Sequence, residues 1–113
     1  MDEYAVIITP DAEVELNELD DYITFELLAP DTAVKYIAFI RHELASLSYM
    51  PRRYKLYEVE PWYSRGVRQM IVRNFSAFYT VLEDYNEVYI QNIIYNKRDI
   101  PQILHDLYGD ELN

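Results

Sequence analysis

Apolar residues recur along this chain with two periods, and the change from one to the other divides it. Leu16, Leu19, Ile23 and Leu27, then Ala33, Ile37, Ile40, Leu44 and Leu47, step by three or four. That spacing lines each set along one stripe of an α-helix. Thr9 precedes Pro10, which places Thr9 to cap the first helix and Pro10 at its first position, where no backbone N–H is needed. Asp11, Glu13 and Glu15 load the opening turns with negative charge, which the helix dipole favours. Ala29-Pro30 ends this helix, a second opens around Pro30-Asp31, and Met50-Pro51 closes it. Two helices on so short a link form an antiparallel hairpin, whose stripes need a sheet to cover them.

Beyond residue 66 the period shortens. Residues 67–73, 76–82 and 87–95 are rich in β-branched and aromatic side chains. The gaps between them, Asn74-Phe75 and Glu83-Asp84-Tyr85-Asn86, are hairpin-sized, so the three runs predict an antiparallel meander. Residues 4–9 read as a further short buried strand, added at an edge of the sheet. Residues 51–66, with Pro51, Pro61 and Gly66, predict a long loop with a short extended piece at 54–57. Ile100, Ile103, Leu104 and Leu107 suggest a short terminal helix. The expectation is a single α+β domain over residues 1–113, ordered β-α-α-β-β-β with a short C-terminal helix. Its helical hairpin packs on an antiparallel sheet. Leu16, Leu19, Ile23, Ile37, Ile40, Leu44, Ile71, Val81, Ile90 and Ile93 should be buried.

Composition narrows the classes. A chain of 113 residues, half of them apolar and only two of them Gly, forms one ordered domain. No run is long and apolar enough for a membrane span, and the acidic start Met1-Asp2-Glu3-Tyr4 does not read as a signal peptide. The absence of cysteine excludes disulfides and thiolate metal sites and fits a cytoplasmic protein. The net charge is −10, which argues against indiscriminate binding to nucleic acid. Its distribution is uneven: residues 1–50 hold 11 acidic residues against Lys35 and Arg41, whereas residues 51–113 hold nine against eight basic ones. The meander and the basic knuckle Asn96-Lys97-Arg98 bring cations to one edge of a small sheet, which suits a phosphate-rich or acidic target.

Candidate chemistry is sparse. His42 and His105 fall off their helical stripes and read as surface residues. No metal-ligand spacing, Gly-rich phosphate loop or nucleophile elbow is present, so no metal or cofactor is expected. Arg68, Arg73, Lys97 and Arg98 are the cationic candidates, all in or beside the sheet. Strand alternation sends Arg68 and Arg73 to opposite faces, which leaves one of them a structural or solvent-facing role. Of twelve tyrosines, Tyr79 in the central strand and Tyr95 beside the knuckle are best placed to stack on a base or move a proton.

Two sets of residues together resemble a known family. The first is Tyr4-Ala5-Val6-Ile7-Ile8-Thr9-Pro10-Asp11-Ala12-Glu13, Tyr22-Ile23 and Ser48-Tyr49-Met50-Pro51. The second is Arg73-Asn74-Phe75-Ser76-Ala77-Phe78-Tyr79-Thr80-Val81 and Tyr95-Asn96-Lys97-Arg98-Asp99-Ile100. In this order they resemble the RelE/ParE superfamily of toxins. The resemblance implies the growth-inhibiting toxin of a bacterial type II toxin–antitoxin pair, neutralised by a cognate antitoxin. It leaves three activities open: a metal-independent, ribosome-dependent mRNA endonuclease (an mRNA interferase), a DNA gyrase poison, or antitoxin binding alone. For cleavage it implies that Arg98 and Arg73 stabilise the developing phosphorane charge and that Tyr79 or Lys97 moves the proton, with Arg68 and Tyr95 as weaker candidates. Ser76 stands where many cleaving members carry arginine, Leu104 stands near the position of a C-terminal tyrosine, and Tyr108 is a loose substitute for it. Toxins of the family are commonly basic, so the acidic balance here points to an antitoxin contact led by apolar anchors, with basic residues of the antitoxin facing the acidic helices.

Overall fold

The structure, a computed structural model, describes residues 3–73 and 75–112. Met1 and Asp2 of the acidic start, and Asn74 of the first expected turn, lie outside the described residues. Strand β1 (Ala5–Ile8) leads into helix α1 (Pro10–Asp21), followed by a wide π-helical turn, Tyr22–Glu26. Helix α2 (Pro30–Ala45) returns, and the meander β2 (Arg68–Val72), β3 (Phe75–Leu82) and β4 (Glu87–Tyr95) precedes helix α3 (Ile100–Leu112). The order is the one the periodicity predicts.

Thr9 welds the first helix to the sheet. Its hydroxyl accepts from the Ala12 amide at 3.4 Å and donates to the Ile90 carbonyl at 2.8 Å, with Pro10 in the first helical turn. The two helices are clamped across their outer faces by a bidentate pair, both Arg41 guanidinium nitrogens lying 2.9 Å from Glu13 carboxylate oxygens. The hydrogen bonds from Arg41 hold the Glu13 carboxyl below its ordinary value. The first helix does not run as a regular α-helix to residue 29. It widens after Asp21, keeps Ile23 buried in the π turn, and reverses through Leu28 in the left-handed conformation.

The sheet order is β1-β4-β3-β2, with β1 parallel to β4 and the meander antiparallel, so the four-stranded sheet is mixed. The first strand sits at an edge as expected, but it is half-buried rather than buried. Both helical stripes and α3 close over one face, where Leu16, Leu19, Ile23, Tyr36, Ile40, Leu44, Met70, Phe75, Tyr79, Ile90 and Ile93 share the core. Each such aliphatic side chain stabilises by about 1.5–3 kcal/mol.

Two expectations in the meander fail. Phe75 is not part of the turn: it pairs with Val72 at the start of β3, so the turn begins at Arg73, whose φ is +54°. Ile71 is 62% exposed, because Arg68, Met70 and Val72 take the inward parity and Ile71 faces out. Ile37 and Val81 are half-buried against the core. A register shift between Phe78 and Tyr79 leaves Gln91 as an extra residue in β4, which lets Ile90 and Ile93 both point inward. The second turn is a 3-10 turn, Glu83–Tyr85, ended by Asn86 at φ +51°, a conformation asparagine tolerates. The extended piece forms as expected and lies against β2, with Tyr57 N donating to Val67 O at 2.8 Å and Gln69 N to Lys55 O at 3.1 Å.

Candidate functional site

The sheet separates the basic residues into two groups at opposite ends. Val72 pairs with Phe75 and Phe75 with Tyr95, so Arg73 and the knuckle after β4 share one end. Arg68 pairs with Tyr79 towards the other, near Arg52 and Arg53.

The Arg68 end is occupied with holding the fold. Arg68 Nη1 donates to the carbonyls of Tyr54 at 2.7 Å and Arg52 at 3.3 Å. Tyr79 is fully buried and its hydroxyl donates to Pro51 O at 2.6 Å. Burial pushes the Tyr79 phenol up to about 12 while Arg68 and Arg53 pull the other way. Arg53 donates to Tyr49 O at 2.6 Å and to Ser46 Oγ at 2.8 Å, closing the end of the second helix, and lies 4.9 Å from the centre of the Tyr54 ring. Arg52 is paired with Glu83. These contacts pin residues 51–54 to the sheet.

At the other end, Arg73 and Arg98 are exposed. The Asn96 side chain accepts from the Arg98 amide at 3.0 Å and caps the 3-10 turn Lys97–Asp99, which turns the chain from β4 into α3. The Lys97 ammonium lies 5.2 Å from the centre of the Tyr22 ring, and its carbonyl accepts from the Tyr22 hydroxyl at 3.4 Å. Tyr95 is half-buried, and its phenol is raised by burial, then by Glu18, Glu15 and Tyr22. Glu15, Glu18, Tyr95 and Lys97 line one hollow of about 250 Å³. Glu15 reaches into the sheet, accepting from the Ile93 amide at 2.9 Å where β1 no longer covers β4. Carboxylates therefore stand beside the Lys97 ammonium at this end.

The structure brings Arg73, Tyr95, Lys97 and Arg98 to one end and separates Arg68 and Tyr79 from them. Ser76 faces outward and accepts from Gln69 Nε2 at 3.1 Å, Leu104 is in the core, and Tyr108 is half-buried against it. Periodicity misses Tyr36, which is fully buried with a hydroxyl that has no hydrogen-bond partner among the described residues. Burial pushes that phenol up to about 12, Tyr108 adds to the rise, and Arg73 draws it down. The signal existed: Tyr36, Ile40, Leu44 and Leu47 step by four, four and three. Also missed is the outward face, where Tyr57 meets Phe78 edge-on at 5.0 Å between ring centres.

In fold this is a RelE/ParE-type domain. Its structure is similar to a chain of the chromosomal ParDE toxin–antitoxin system of P. aeruginosa, with a TM-score of 0.69 and 22% identity over 84% of this chain and 98% of that one. It is also similar to a chain of the RelBE2 toxin–antitoxin complex of Mycobacterium tuberculosis (TM-score 0.60, 20% identity, 85% of this chain and 94% of that one). The isolated E. coli RelE toxin gives 0.56 at 12% identity over 92% of this chain and 98% of its own. Residues 6–100 match the family model of the ParE toxin of type II toxin–antitoxin systems, and the chain belongs to that family. No protein of curated function matches it in sequence. Among the described residues no helix is long and apolar enough to cross a membrane.

Proposed function

We propose that this toxin arrests growth by binding a protein target, DNA gyrase, in the cytoplasm, and that it does so without cutting RNA. The observation that carries this reading is the character of the Arg73–Arg98 end. Abstracting a proton from a 2′-hydroxyl calls for a group that titrates near the working pH. The phenol of Tyr79 is buried, engaged with a carbonyl and pushed up to about 12. That of Tyr95 is raised as well. Glu15 and Glu18 stand beside Tyr95 and Lys97, where a phosphate backbone would need cations alone. A body of net charge −10 opposes RNA at longer range.

A cognate antitoxin is the second partner. The neighbours from M. tuberculosis and E. coli include toxin–antitoxin complexes, and the same arrangement is proposed here. The competing reading, ribosome-dependent mRNA cleavage, assigns charge stabilisation to Arg73 and Arg98 and proton transfer to Lys97. Inducing the toxin, mapping 5′ ends of cellular mRNA and assaying gyrase in parallel separates the two. Intact mRNA with trapped gyrase is the expected result; in-frame cuts with gyrase turning over normally would overturn the proposal.

A further inference from the structure

The outward face of the sheet holds a box with no charged wall. Tyr57, Trp62 and Phe78 supply three rings, Ile94 closes one side, and Gln91 and Asn92 stand among them around about 220 Å³. The rings are steep to one another: Tyr57 meets Phe78 at 73° and Trp62 at 54°, with centres 5.0 and 6.0 Å apart. Parallel stacked rings would spend their faces on each other; tilted ones act as walls and leave π surface for an occupant. Gln91 Nε2 donates to Thr80 Oγ1 at 3.4 Å and Asn92 Nδ2 to Glu15 Oε1 at 3.5 Å. Each amide spends one N–H on the protein and keeps its oxygen as an acceptor for a donor on a ligand.

Such a box selects by charge. Ring faces and amide oxygens present negative potential, which favours a cation. No basic side chain lines it, and the chain as a whole carries −10. Arg53 and Lys55 line a separate cavity of about 500 Å³, with Tyr57 as the shared wall. A nucleobase would stack in the box, but its phosphate would find no counter-charge there. Ile94 also borders the hollow formed by Glu15, Glu18, Tyr95 and Lys97. A chain leaving the box across Ile94 therefore meets two carboxylates, with the Lys97 ammonium held towards the Tyr22 ring.

We propose that this box docks a basic segment of a partner protein, with an arginine or lysine side chain between Tyr57, Trp62 and Phe78 and further basic residues facing Glu15 and Glu18. The proposal rests on the reading of this chain as a toxin that works through protein contacts, and it names the chemistry of one such contact.

Trp62 is the only tryptophan of the chain and is 44% exposed, so its emission reports on the box. Purified protein is titrated with the capped peptide acetyl-Arg-Val-Arg-Val-Arg-amide, with the same peptide carrying Glu for Arg, and with a short single-stranded oligouridylate. The basic peptide should bind saturably and at least about tenfold more tightly than the other two. Phe78→Leu and Tyr57→Leu keep apolar volume but each remove a π face, and should each weaken it about fivefold. In the unaltered protein the side-chain amide resonances of Gln91 and Asn92 should shift with the same titration, which decides the matter even if a variant fails to fold. Equal binding of the acidic peptide or the oligonucleotide overturns the proposal, as does binding that leaves those resonances unmoved. Gyrase inhibition is measured on the same preparations. Peptide binding without inhibition upholds the box and overturns the gyrase reading; inhibition without peptide binding does the reverse.

Discussion

Two buried tyrosines show how much one hydroxyl depends on its partner. Tyr79 donates to Pro51 O, so Tyr79→Phe removes that bond and strands a carbonyl; chemical denaturation should show a loss of about 1–2 kcal/mol with growth arrest retained. Tyr36 has no such partner among the described residues, and Tyr36→Phe should instead gain about 1 kcal/mol by the same measurement. Both phenols titrate near 12 in the fold against about 10 in the unfolded chain. A raised acid pKa favours the protonated, folded state. Its contribution is whole below about pH 10 and is lost as pH climbs through about 12. Stability measured across that alkaline window should fall, and the double variant Tyr36→Phe/Tyr79→Phe should flatten the fall. Arg68 was hard to place from sequence for a related reason. It takes an inward strand position, against its polarity, because the Tyr54 carbonyl is there to receive it.

At the scale of elements, the helical hairpin was readable because its burial depends on local spacing. The Thr9-Pro10 cap and the break at Pro30 have local causes, whereas α2 ends at Ala45, before the expected close at Met50-Pro51, and a 3-10 turn, Ser46–Ser48, carries the chain on. The sheet was readable in order and length, less so in facing. Parity in β2 depends on its partner: Met70 opposite Ala77 fixes the inward set, and Ile71 is left outside. The two isoleucines test this directly. Ile40→Ala should cost about 2–5 kcal/mol, as a core truncation. Ile71→Ala should stay within about 0.5 kcal/mol, as an exposed change; thermal or denaturant unfolding of the pair gives the contrast. The π turn after Asp21 and the extra residue at Gln91 left no mark in the periodicity, since each is an accommodation to packing across the sheet.

At the scale of the whole molecule, sequence located the knuckle and the acidic helices but not which cations remain exposed. Tertiary hydrogen bonds decide which are engaged: Arg53 and Arg68 donate to backbone carbonyls, Lys97 shares a hollow with Glu15 and Glu18, and Arg73 and Arg98 are exposed at the same end of the sheet. A net charge of −10 suits protein partners better than RNA, and action on gyrase without RNA chemistry is the proposal to be tested. The most direct test is to titrate the purified protein into purified gyrase acting on relaxed plasmid. The account predicts a dose-dependent loss of supercoiling with gyrase-bound, cleaved DNA accumulating, reversed by the antitoxin. Undiminished supercoiling at a large molar excess of toxin would contradict it.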